Sequence, residues 1–240
     1  MIGMGTIINI AGIIAGGLIG LLFSKAISAR YQETLMHATG VCVLFVGIGG
    51  AIQEMVSISG NELTSGGTMV IVVSFAVGSL AGEWINLEKR IEQFGEWLKV
   101  KTGNSRENLF VEGFVTASLT ICIGAMAVVG AIQDGVSGDP STLILKAVLD
   151  MLIVCVMTAS MGKGCIFAAI PVGIFQGVIT VLARAIQPFM TEKVMSNLSL
   201  TGSILIFCVG VNLIWEKKLK VANMLPAIVA AVVCAFLPLS

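Results

Sequence analysis

A lysine and an aspartate four residues apart inside an apolar run are the first residues of this chain that could do chemistry. Lys146 and Asp150 lie within Leu143 to Met161, a stretch otherwise free of charge. On a helix their spacing puts both on one face, with Thr158 two turns further along the same stripe. A second stripe at steps of four, Glu112, Thr116, Thr120 and Gly124, runs through the preceding apolar stretch. A straight helix there would bring Thr120 to the depth of Asp150 from the opposite side, and two facing polar stripes would line a wet path. Entering near Ser141, Asp150 lies about 12 Å along its helix at about 1.5 Å per residue. At that depth in a bilayer a carboxylate costs about 2.5 to 3.5 kcal/mol and needs a partner, water or a ligand. The pattern allows two readings: a carboxylate that binds a substrate or coupling ion, and an ion pair with Lys146 that only orients its helix.

Three further polar residues, Asn9, Gln176 and Asn212, sit inside other apolar stretches. Interrupted helices expose backbone groups that can hold ions or anionic solutes. Pro171 and Gly173 are candidate break points, and Gly12, Gly16 and Gly17 occupy the corresponding part of the first stretch. The same glycines also form small-xxx-small pairs, Gly12 with Gly16 and Gly16 with Gly20, which would instead serve close helix packing. His37, the single histidine, reads as an interfacial residue. The six cysteines, at 42, 122, 155, 165, 208 and 234, show no CxxC or Cys/His pattern and read as packing thiols. No metal site and no cofactor is expected. The chain lacks GxSxG, P-loop and HExxH motifs, so the expectation is a protein that is not an enzyme and not an ATP-driven pump.

The elements that position these residues follow from composition. The 240 residues are 56% hydrophobic and 12% charged, with mean hydropathy +0.99. That excludes a soluble globule and a disordered chain, and places the protein in a bilayer. Fourteen Lys and Arg balance fourteen Asp and Glu, which argues against nucleic acid as a partner. Uncharged runs mark seven spans: Met1 to Ser24, Ala38 to Gln53, Leu63 to Gly82, Gly113 to Gln133, Gly164 to Ala183, Val194 to Trp215 and Val221 to Ser240. Leu143 to Met161 adds an eighth. A single helix over 142–186 would be about 65 Å long, twice the bilayer, so the Gly162-Lys163-Gly164 segment must turn. The first run has no basic residue before it, so it is expected to stay as a span rather than be cleaved.

With the N-terminus outside, the inside loops receive Lys25, Arg30, Lys89, Arg90, Lys99, Lys101, Arg106, Lys163, Lys217, Lys218 and Lys220. Arg184 and Lys193 remain outside, with Lys146 just within a span. This bias predicts N-out and C-out topology with eight helices, an all-α polytopic bundle. Between Trp84 and residue 109 the apolar Leu87, Ile91, Phe94 and Leu98 alternate with charges, which predicts an amphipathic helix lying on the cytoplasmic interface.

Internal repeats are expected as well. Gly12-Ile13 and Gly16 align with Gly173-Ile174 and Gly177, and Lys25-Ala26-Ile27 with Arg184-Ala185-Ile186. Thr39-Gly40, Phe45, Ile52 and Glu54 align with Thr201-Gly202, Phe207, Ile214 and Glu216. Five crossings separate the copies, so they would be inverted, with a substrate site near the bilayer centre. The resulting division is a first repeat at 1–83, a linker helix at 84–109, two added spans at 110–162 and a second repeat at 163–240. A shorter parallel echo pairs Gly50-Ala51-Ile52-Gln53-Glu54 with Gly130-Ala131-Ile132-Gln133-Asp134.

The run Gly124-Ala125-Met126 through Gly130-Ala131-Ile132-Gln133-Asp134-Gly135, then Gly138-Asp139, Lys146, Leu149-Asp150 and Asn223-Met224-Leu225-Pro226, resembles the bacterial membrane proteins of the uncharacterised DUF554 family. The likeness covers the whole chain. Ala125 stands where the family pattern usually has proline. The resemblance implies a polytopic inner-membrane protein without an established substrate. From the residues themselves, the expected function is a small secondary transporter with Asp150 as its binding or coupling carboxylate. The alternatives are an ion channel and a non-transporting scaffold or sensor acting through the amphipathic helix. Expected partners are the lipid bilayer and a small solute or ion, with further copies of the chain as the remaining candidate.

Overall fold

The computed structural model describes residues 2–26, 28–59, 62–215 and 219–237. Ile27, Glu216, Lys217 and Lys218, used above for topology and repeats, lie outside them, as do the termini Met1 and Ser240. The chain is a helical bundle. Its order is α1 (Met4–Ala26), α2 (Ala29–Met55), a hairpin of β1 (Val56–Ser59) and β2 (Glu62–Ser65), α3 (Thr68–Ile85), α4 (Leu87–Lys101), α5 (Phe110–Cys122), α6 (Ala125–Ser137), α7 (Ser141–Met161), a 3-10 turn at Lys163–Ala168, α8 (Ala169–Ile186), a second 3-10 turn at Gln187–Phe189, α9 (Glu192–Ile214), α10 (Val221–Met224) and α11 (Pro226–Cys234). Among the described residues six helices are long and apolar enough to cross a membrane, or seven if the bent pair α5 and α6 is one span. Large apolar side chains such as Val181, Leu80 and Phe45 stay exposed, as expected where lipid is the solvent.

The chain divides into two compact units. The first comprises Met1–Thr39, Ile91–Cys122 and Met126–Pro188; the second comprises Gly40–Arg90, Ile123–Ala125 and Phe189–Ser240. In the first unit α1 and α7 run side by side in parallel. Gly12, Gly16 and Gly20 face the main-chain carbonyls of Ala147, Met151 and Cys155, and a Cβ on Gly16 would lie 2.1 Å from the Met151 oxygen. Against α1 on another side lies α8, antiparallel, with Gly173 facing Ile10. The core here is built on Phe110, Phe114, Ile13, Leu143 and Met157.

The fourth apolar stretch is not the straight helix expected for Gly113 to Gln133. It breaks after Cys122, and α5 and α6 meet at 62°. Gly124, the poorest helix former short of proline, sits at the break. The two pieces nonetheless follow α7 from end to end: Gly113 faces Met161, and Gly130 faces Leu143 and Thr142.

The expected breaks in the first and sixth stretches are corrected by the structure. Helix α1 runs uninterrupted through Gly12, Gly16 and Gly17, because those glycines admit α7 and the Ile166 side chain rather than loosen the helix. Pro171 lies in the first turn of α8, where its missing N–H costs no intrahelical bond, and Gly173 continues the same helix.

Helix α4 turns part of its apolar face onto protein. Leu98 is buried, Gly95 faces Phe114, and the Phe94 and Phe114 rings lie 5.9 Å apart. Trp97 and Val100 remain exposed.

In the second unit α3 packs antiparallel on α10 and α11, with Gly78 against Ala227 and Gly82 against Asn223. Val70, Ala231 and Cys234 close the far end of that seam. The last part of α2 packs antiparallel on α9, Gly40 beside Ile214 and Gly47 beside Phe207.

Candidate functional site

The site is assembled inside the first unit from α1, α5, α6, α7 and α8. Lys146 and Asp150 form a buried ion pair, with side chains 8% and 4% exposed and the ammonium 2.7 Å from the carboxylate. Its Nζ donates to both carboxylate oxygens and, at 2.9 Å, to the Ile121 carbonyl. Ile121 is the penultimate residue of α5, so its carbonyl belongs to the last turn and has no intrahelical partner. The break between α5 and α6 thus supplies the third acceptor that the ammonium needs. All three donors of the lysine are used, and the pair is neutral as a unit.

Asn9 of α1 lies close to the Asp150 carboxylate. Its Nδ2 donates to Gln176 Oε1 on α8 at 3.3 Å. Both amides are fully buried, and Asn9 Oδ1 and Gln176 Nε2 have no protein partner. One turn towards the start of α1, the Thr6 and Thr180 hydroxyls face each other at 3.5 Å. Beyond them the Gly5 N–H donates to Asp134 Oδ2 at 3.0 Å. The result is a line of buried polar rungs: Asp134, the threonine pair, the Asn9–Gln176 pair, and Asp150 with Lys146.

The residues singled out by sequence divide accordingly. Asp150, Lys146, Asn9 and Gln176 come together. Thr158 is fully buried on α7, two turns beyond Asp150. Thr120 is buried, but its hydroxyl is turned back onto the Thr116 carbonyl at 2.8 Å, and Thr116 is half-buried. Glu112 is exposed, so the stripe from Glu112 to Gly124 does not face Asp150; the end of α5 at Cys122 truncates it. Asn212 is elsewhere, in the second unit, where its side chain fastens the backbone of Leu219 through bonds of 2.7 and 2.9 Å.

Sequence reasoning missed Asp134 as a member. It stands at the end of an apolar run, where a carboxylate reads as loop, yet it is fully buried. The signal that could have found it is the close-set glycine pattern around it: Gly135 lets the Thr180 backbone approach, and Gly130 admits Leu143. Gln133 ties the same segment to the start of α7, donating to Asp139 at 2.9 Å and accepting from Thr142 at 2.7 Å. Asp139 lies in the connection between α6 and α7. There the Ser141 hydroxyl and N–H, opposed by slight desolvation and helped by Gln133, hold its carboxyl below the ordinary carboxylate range.

An all-helical bundle with lipid-matched apolar surfaces and a buried charge pair defines an integral membrane protein. The match to the family described as "Protein of unknown function (DUF554)" extends over residues 4–236, and the chain belongs to that family. It is 32% identical over 232 residues to the "Uncharacterized membrane protein YdfK" of Bacillus subtilis (strain 168), covering 97% of this chain and 95% of that protein. It is 27% identical over 232 residues to the "Uncharacterized protein YqgA" of Escherichia coli (strain K12), covering 95% and 94% respectively. No solved structure matches the chain.

Proposed function

We propose that this protein is a small secondary transporter of an ion or small polar solute in a bacterial inner membrane. The observation that carries the reading is the Lys146–Asp150 pair lodged against the free carbonyl of a broken helix, with unpartnered amide groups on Asn9 and Gln176 beside it. Buried ionisable groups and interrupted helices are the features from which transporters build solute sites near the bilayer centre. Because the charges satisfy each other, the unpartnered groups on the amide rung beside the pair are one acceptor, Asn9 Oδ1, and one donor, Gln176 Nε2. A solute that offers both a donor and an acceptor fits them, and an ion would act by competing for one member of the charge pair.

The topology proposed is N-out and C-out with eight crossings, α5 and α6 forming the fourth and α10 with α11 the eighth. The surplus of Lys and Arg in the loops assigned to the inside supports it. The parallel course of α1 and α7 agrees with both entering from outside. An inverted repeat is supported by the way supposed counterparts meet: α1 lies antiparallel to α8, the end of α2 to α9, and α3 to α10 and α11. A two-fold axis in the membrane plane relates antiparallel partners in this manner.

A thermal-shift screen of the purified protein against ions and polar metabolites tests the binding step, since a ligand of the folded state raises its melting temperature. Flux of each hit into liposomes then tests transport. Saturable flux driven by an ion gradient supports the transporter; unsaturable flux assigns a channel; absence of flux together with a bound soluble partner assigns a scaffold.

A further inference from the structure

We infer that Asp134, not Asp150, is the proton-exchanging carboxylate of this protein. Asp150 is already neutralised by Lys146 at 2.7 Å. Asp134 is fully buried, and one of its oxygens, Oδ1, has no hydrogen-bond partner, while Oδ2 holds a single bond from the Gly5 N–H. A buried carboxylate without a counter-ion is costly, and the least demanding way to neutralise it is a proton. Metal cations are poorly suited, because hard ions gather six or more oxygen ligands. Among the described residues no cluster of three or more His, Cys, Asp or Glu surrounds Asp134, and the backbone on either side is closely packed, Gly5 against Leu143 and Gly135 against Thr180 and Ala183. A proton needs one free lone pair and no extra room. Added from water to Oδ1, it leaves the Gly5 bond to Oδ2 in place, and its departure restores the carboxylate.

The first turn of α1, through the Gly5 N–H, offsets the charge of Asp134 in part, but among the described residues no charged side chain is paired with it. From α1 comes Gly5, and the only charged residue of that helix, Lys25, is at its other end. From α7 comes Leu143, with Lys146 one turn on and committed to Asp150. From α8 come Thr180 and Ala183, with Arg184 exposed on the neighbouring position. On its own side of the chain Asp139 follows, held by Ser141 and Gln133. The Thr6–Thr180 and Asn9–Gln176 rungs then lead from Asp134 towards the charge pair. A coupling role for this proton rests on the transport reading; the proton site itself does not.

Difference infrared spectroscopy of the full chain in lipid nanodiscs, titrated from acid to alkaline pH, reads the carbonyl stretch of a protonated carboxylic acid directly. The expected result is a titrating band that survives in the double variant Lys146→Met with Asp150→Asn and vanishes in Asp134→Asn, whose amide oxygen can still accept from Gly5. If Asp134→Asn does not fold, Asp134→Glu prepared with 13C-labelled aspartate decides: the titrating band must persist and lose the isotope shift seen in the labelled wild type. A band that persists in Asp134→Asn, one that keeps its isotope shift in Asp134→Glu, or no titrating band at all overturns the inference. Because no solute is added, a protein that fails every flux assay can still pass this test, and an active transporter can fail it.

Discussion

The α1–α7 seam of the first unit and the seam of α3 with α10 and α11 in the second use the same packing device and place their charges oppositely. Both rest on glycines against backbone: Gly12, Gly16 and Gly20 in one, Gly78 and Gly82 in the other. Each unit holds a Lys–carboxylate pair on the elements of its seam at nearly the same distance, 2.7 Å for Lys146–Asp150 and 2.6 Å for Lys220–Glu83. The first pair is buried, whereas the side chains of the second are 63% and 55% exposed. Distance therefore says little about what an ion pair does. Water screens the outer pair and leaves it close to neutral for stability, while the inner pair is committed, because neither partner can find solvent if the other is lost.

The largest effect that would sharpen this contrast is expected from Asp150→Asn. If the carboxylate is needed mainly to neutralise Lys146, the variant should lose on the order of 3 to 5 kcal/mol, seen as a sharp fall in melting temperature. The double change Lys146→Met with Asp150→Asn should then recover stability, since both charges are gone. A stable double variant that still transports at the full rate would sink the site proposed here.

Next in size is Gly16→Ala. Its methyl would meet the Met151 carbonyl at 2.1 Å, and main chain cannot yield as a side chain can. A loss of at least about 1 to 3 kcal/mol is expected from overpacking, and an unchanged melting temperature would mean that the seam is looser than described. Lys220→Met should do least, with melting temperature and salt dependence barely altered; a large drop would erase the contrast between the two pairs.

A pH titration adds a control outside the helices. Ser141 holds the Asp139 carboxyl below its ordinary range, so the folded state binds this proton less readily than the unfolded chain. The stability it contributes is complete above the ordinary carboxylate range and is lost as pH falls through and below it. Asp139→Asn should flatten that acid limb of the stability curve, and an unaltered limb would assign the acid sensitivity to another group.

Much of the architecture was legible because burial in lipid leaves a plain mark: long runs without charge become helices, and Lys146 and Asp150 stand out against them. What could not be read is the ambiguity of glycine. Gly12, Gly16 and Gly124 are the same residue in comparable apolar surroundings, yet the first two admit a neighbouring backbone and the third ends a helix. Only the partner distinguishes the cases, and Ala147 and Met151, which face the first two, lie more than a hundred residues away in sequence. With Ala125 rather than proline after Gly124, no local residue announced the break. Asp134 escaped for a related reason. Its depth is set by α1 and α8 closing over it, whereas hydropathy sees only the polar Gln133 beside it and the glycines that follow.

The side-by-side course of α1 and α7 also dictates how the chain must be made. Gly16 meets Met151, so α1 waits for a partner made 135 residues later. At about 5 to 20 residues per second that wait is roughly 7 to 27 s. Throughout it Asn9 has neither Asp150 nor Gln176 to bond, and its amide must be shielded from the hydrocarbon by some other group. Until the second half of the protein arrives, α1 therefore carries a polar group that water, its own backbone or another helix has to satisfy.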